Sequence, residues 1–206
     1  YASAMNQMGG VIATLLAGLL SQLNWRASFL VYLLGLLSIV LCLGFLPSDR
    51  LDQPQHAEEA SAAGSPFRTY FIYILAMFLL MSIFFVYPAN FALETTAEGA
   101  VPAQCIAVIM AGADLVAFVG GLLFVHLRRA MGRACKLLAP VLFLLGFLLL
   151  TLLGGWPGTL LGSACIGFAN GVGIPFLISE ASMQAGKSAA STVMPLLSAA
   201  MYLAQF

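Results

Sequence analysis

The chain has 206 residues, of which 62% are hydrophobic and only 8% are charged, with Lys plus Arg and Asp plus Glu balanced at 8 each. A soluble domain carries about 25% charged residues, so a chain this poor in charge cannot cover a water-facing surface. The even balance also leaves no basic face for a nucleic acid.

A helix needs about 20 apolar residues to cross the hydrocarbon core, and seven stretches reach or approach that length. The first is 5–23, and the second, 27–46, follows the polar turn Asn24-Trp25-Arg26. Pro47 to Pro66 then breaks the pattern, gathering Asp49, Arg50, Asp52, His56, Glu58 and Glu59 before the small residues of 60–65. This reads as a polar linker of about 20 residues.

The third stretch, 69–87, is crowded with aromatic residues, including Tyr70, Tyr73, Phe84 and Tyr87. Most of these are expected at lipid or in the interface belt, with Tyr73, Phe84 or Tyr87 able to stack on a cationic or aromatic solute. Pro88 marks the end of that stretch, so Asn90 and Glu94 are expected in an outer loop. The fourth, 103–125, holds Asp114 near its centre, the one formal charge in any of the seven. A basic loop follows with Arg128, Arg129, Gly132, Arg133 and Lys136, and then the fifth stretch, 137–153. The sixth, 159–178, contains Gly167, Asn170, Gly171, Gly173 and Pro175, a composition that packs closely and bends easily. The seventh, 191–206, is still apolar at the last residue and reads as truncated, and both chain ends read as cut.

Barrel strands would alternate over about 10 residues, and these segments do not. Lipid then leaves only helices, because every backbone polar group must be satisfied internally. The expected fold is all-α, a polytopic transmembrane helical bundle of about seven helices. With residue 1 inside, seven of the eight basic residues fall on inner loops and only Arg26 on an outer one. That asymmetry predicts residue 1 and the linker on the cytoplasmic side of an integral membrane protein, and the expected location is the plasma (inner) membrane.

Cys42, Cys105, Cys135 and Cys165 are far apart, and His56 and His126 have no Cys or Asp at ligand spacing. Neither a disulfide nor a metal site is expected, and no cofactor is implied. There is no nucleotide loop: the Gly171-x-Gly173 step lies at membrane depth with no strand before it. No hydrolytic constellation is present, so the chain does not read as an enzyme.

Residues 6–29 resemble the fifth helix of the major facilitator superfamily and the short outer turn after it. Antiporters of drugs and solutes in that family carry Gly-x-x-x-Gly-Pro-x-x-Gly-Gly there. Here Gly9, Ala13, Thr14, Ala17 and Gly18 occupy those places, with Thr14 standing for the proline. Small side chains at this spacing let helices approach closely. Residues 120–136 resemble the worn copy, between the eighth and ninth helices, of the family's Asp-Arg-x-Gly-Arg-Arg turn. The Gly132-Arg133 step is kept and Arg129 stands at the acidic place.

The resemblance implies a partial major facilitator fold running from about helix five into helix eleven. Residues 1–47 become the last two helices of the N-terminal half, 48–67 the central cytoplasmic linker, and 68–206 most of the C-terminal half. The remaining helices of the same chain are then implied as intramolecular partners, and the lipid bilayer as surroundings. The implied activity is secondary transport of a small organic solute by alternating access, with proton-coupled export the expected mode. A membrane scaffold or permease subunit is the alternative, although it leaves the half-and-half layout unexplained. A membrane-embedded enzyme ranks below both, since Asp114 stands alone.

A carboxylate at mid-membrane costs roughly 3 kcal/mol on insertion scales. Asp114 is therefore expected either to line a central cavity, binding a cation or carrying the coupling proton, or to pack as a neutral acid against Ser or Thr. Asn170 and Asn90 are further candidates on the solute or proton pathway. For each, the plainer reading is a helix-to-helix or outer-loop hydrogen bond.

Overall fold

The computed structural model describes residues 2–45, 66–99 and 101–206. Helix α1 is Ala2–Leu23. A 3-10 helix, Trp25–Tyr32, follows, started by Asn24, whose side chain accepts a hydrogen bond from the Arg26 N–H at 3.1 Å. That capping residue interrupts the apolar run and separates α1 from α2, Leu33–Phe45. Then come α3, Pro66–Glu98, and α4, Ala103–Met131. A 3-10 turn, Gly132–Ala134, leads into α5, Cys135–Leu152, and the last element is α6, Gly155–Leu203. Among the described residues there is no strand. The protein is an all-α membrane helical bundle.

The structure corrects several boundaries. Pro88 does not end the third helix but lies inside α3, so Asn90 and Glu94 are helical rather than in a loop. A proline inside a membrane helix is tolerated because neighbouring groups satisfy the freed carbonyl. Helix α4 extends past 125 to Met131, which puts Arg128 and Arg129 on its last turn, where cations suit the helix dipole. The sixth and seventh stretches are joined in α6, and Glu180 lies within it rather than in a loop. Between 179 and 190 the chain has no proline and a single glycine, so nothing there stops the helical backbone. The expected linker, 48–67, falls mostly outside the described residues, as do Asp49, Arg50 and His56.

Among the described residues four stretches are long and apolar enough to cross a bilayer: Arg26–Gly44, Tyr70–Glu98, Ala103–Leu152 and Gly155–Ala185. The third comprises α4 and α5, divided at Gly132, whose φ of 53° is a conformation that glycine adopts without a side-chain clash. Helix α1 has the length, but Asn6, Gln7, Ser21 and Gln22 make it more polar than those four.

Helix α6 is central and packs on α3, α4 and α5, while α1 packs mainly on α4 and touches α6 only slightly. One buried cluster joins Ile74, Met77 and Met81 of α3 to Ile174, Leu177 and Ala181 of α6, and also to Val193, Leu197 and Ala200. A second cluster holds Tyr87 and Phe91 with Ile106, Ile109, Phe143 and Ile166. Helix α2 is different: every residue from 33 to 44 is exposed, with Leu43 at 83%. Such a surface is stable only against lipid or other apolar helices.

Candidate functional site

Asp114 sits in the seam between α1 and α4. The Thr14 hydroxyl donates to its Oδ2 across a long 3.4 Å contact, and the acid is half-buried. The helices run antiparallel, so Gly10 lies beside the same carboxylate, and a Cβ there would stand 3.4 Å from Oδ2. Two turns along α1 from Gly10, Gly18 faces Ala107 so closely that an added Cβ would overlap the Ala107 methyl. Gly10, Thr14 and Gly18 thus form a stripe at spacing four against α4. Gly9, expected among the packing residues, is exposed with open space around it, and its neighbour Gly10 makes the contact. Ala13 and Ala17 are half-buried, and Ser28 hydrogen-bonds back to the Ala17 carbonyl at 3.4 Å.

The other face of α4 meets α6. A Cβ at Gly167 or Gly171 would run into the carbonyls of Ala113 and Ala117, so these glycines set the helix spacing. Gly173 faces Leu80 and Ala139 instead, towards α3 and α5. On the same helix Asn170 is 1% exposed, and its Oδ1 has no hydrogen-bond partner. An unpaired buried acceptor costs about 1–3 kcal/mol, so Asn170 is not a satisfied packing residue in this conformation. Pro175 follows one turn later, inside the helix, where it removes a backbone donor.

The basic residues gather at one end of the bundle. Arg128 reaches from α4 to α6, donating to the Ser179 hydroxyl and pairing with Glu180 at 2.5 Å. Arg128 and Glu180, with Gly132, Arg133, Lys136 and Phe176, line a cavity of about 350 Å³. At the opposite end a cavity of about 210 Å³ is lined by Asn90, Glu94, Glu98, Tyr87 and Thr159 among others. Asn90 spends one N–H on the Val86 carbonyl at 2.9 Å, within its own helix. Tyr73 is half-buried against the α3–α6 cluster.

A family model described as Major Facilitator Superfamily matches residues 1–206. The chain belongs to that superfamily. As a major facilitator it is a membrane transporter, in a family whose members carry small solutes across the bilayer and are not enzymes. No curated protein and no solved structure matched the chain.

In this facilitator the structure brings Thr14 to Asp114, two residues singled out separately in the sequence, but it leaves Asn170 on another helix face. Neither Asp114 nor Asn170 lines the basic-end cavity, the Asn90 cavity or the apolar groove between α3, α5 and α6. Two contacts had no signal in the sequence. One is the Arg128–Glu180 pair. The other is the buried hydrogen bond from the Tyr87 hydroxyl to the Ser163 hydroxyl, at 2.9 Å between α3 and α6.

Proposed function

We propose that this facilitator couples movement of a small organic solute to protons, in the direction of export, with Asp114 as the group that changes charge during the cycle. The observation that carries this reading is the placement of Asp114 against Thr14 and Gly10 in the α1–α4 seam. If 1–47 and 68–206 belong to opposite halves, that seam is a contact between them, and alternating access works by opening such contacts. An ionised carboxylate gains from hydration when the seam parts, whereas a protonated one tolerates the closed packing against glycine and threonine. Protonation therefore favours one state and deprotonation the other, which is the minimum needed for coupling.

Asn170 is the second element of the proposal. Its unpaired Oδ1 would gain a partner in another conformation, and Gly167, Gly171 and Pro175 would let α6 adopt it. The proposed orientation keeps residue 1, the linker and the Arg128–Lys136 end in the cytoplasm, in the plasma (inner) membrane.

The test is Asp114→Asn in the native protein, assayed as pH-gradient-driven flux of organic cations and neutral solutes in membrane vesicles. Flux is expected to fall at least about tenfold at equal expression, a loss worth roughly 1.4 kcal/mol in the barrier. Unchanged flux in the asparagine protein would remove Asp114 from the coupling mechanism.

A further inference from the structure

The 350 Å³ basic cavity does not stand alone. Lys136 and Phe176, which line it, also line a second cavity of about 240 Å³. That second space is a groove between α3, α5 and α6, walled by apolar residues such as Leu79, Ile83, Ala139, Phe143 and Leu177. From Lys136 to Phe143 it follows α5 for about 11 Å at 1.5 Å per residue, roughly a third of the hydrocarbon core. The basic cavity holds Arg128, Arg133 and Lys136 against one carboxylate, Glu180, which Arg128 already engages. Arg133 and Lys136 are exposed and have no hydrogen-bond or ion-pair partner among the described residues.

We propose that this pair of cavities is a binding site for an anionic phospholipid, with its phosphate held by Arg133 and Lys136 and part of one acyl chain in the α3–α5–α6 groove. Charge complementarity selects an anion, and the apolar space adjoining it selects a lipid over a soluble phosphate. Lys136 joins the two, with its stem on the groove side and its ammonium at the headgroup, as long basic side chains do at a membrane surface. Transport does not enter the argument: the site would exist whether or not Asp114 carries a proton.

The experiment is native mass spectrometry of the purified protein from micelles holding equal phosphatidylglycerol and phosphatidylcholine. Phosphatidylglycerol is expected to be retained in clear excess. Each basic residue near a membrane surface contributes about fivefold to anionic-lipid affinity, so the double variant Arg133→Gln, Lys136→Gln should lose on the order of twentyfold. Arg129→Gln, at the same end of α4 but outside the cavity, should retain the lipid like the parent. Ile83→Trp, which fills the groove and leaves every charge in place, should also reduce retention. Melting in phosphatidylcholine alone checks that each variant is folded. Equal retention of the two lipids would overturn the proposal, as would an Arg129→Gln loss as large as that of the double variant. Displacement of the lipid by inorganic phosphate or glycerophosphoglycerol would also overturn it, in favour of a soluble-anion site.

Discussion

Arg128 holds α4 to α6 at the basic end, pairing with Glu180 across side chains that are 27% and 28% exposed. That degree of exposure limits the energy, since ion pairs open to water are worth about 0–1 kcal/mol. A double-mutant cycle with Arg128→Gln and Glu180→Gln, read from unfolding in mixed micelles, should give a coupling of roughly 0.5–1 kcal/mol. A coupling near zero would mean that the pair adds nothing to the stability of the α4–α6 contact. The pair was not legible in advance, because Glu180 lies 52 residues from its partner and follows an ordinary apolar run. Asp114 was legible as unusual, since a lone carboxylate inside an apolar stretch stands out without any partner being known. Its contact with Thr14 spans 100 residues and depends on which helices pack together, which periodicity does not encode.

Helices were the most legible level. Apolar runs of membrane length have no alternative to the helix in lipid; α1, α3 and α4 contain the stretches expected of them and α5 all but the last residue of its own, whereas the expected second helix begins as the 3-10 helix and is α-helical only from Leu33. The misplaced ends share one cause: Pro88 and the basic run after 125 were read with the rules of water, where proline and charge stop an apolar helix. The small residues of α6 showed that something packs closely on it, but not that Gly167 and Gly171 meet the carbonyls of Ala113 and Ala117. This contact supports a sharp expectation. Gly171→Leu would drive a branched side chain into backbone that has no rotamer to change, so the helices must separate. Overpacking of a flexible core costs about 1–3 kcal/mol, and here the cost should reach or exceed the upper figure. Gly112→Leu is the control, since that glycine of α4 has nothing within 4 Å of an added Cβ. Thermal unfolding in detergent should show a large drop for the first variant and little change for the second. Equal midpoints would mean that α4 and α6 are not in backbone contact.

At the scale of the molecule, α1 makes its main tertiary contact with α4 beyond its own 3-10 turn, and only a minor one with α6. A seam between two helices, lined by Gly10, Thr14 and Gly18, is easier to part than the α4–α6 and α5–α6 packing that builds the rest of the bundle. If transport requires that seam to open, locking it should stop transport without disturbing the fold. Gly18 and Ala107 suit a lock, because an added Cβ at Gly18 falls directly on the Ala107 methyl. A disulfide needs Cβ atoms about 3.8 Å apart, which a small outward shift of α1 supplies. The pair Gly18→Cys, Ala107→Cys would be made with Cys42, Cys105, Cys135 and Cys165 replaced, so that only the new thiols can join. Under oxidation, flux should fall to background while the melting temperature holds or rises, since a cross-link constrains the unfolded chain. Reduction should restore flux in the same sample. Full flux through the oxidised, cross-linked protein would show that α1 and α4 stay together throughout the cycle. Asp114 would then lie in a static contact, and the charge that drives the cycle would have to be sought elsewhere in the protein.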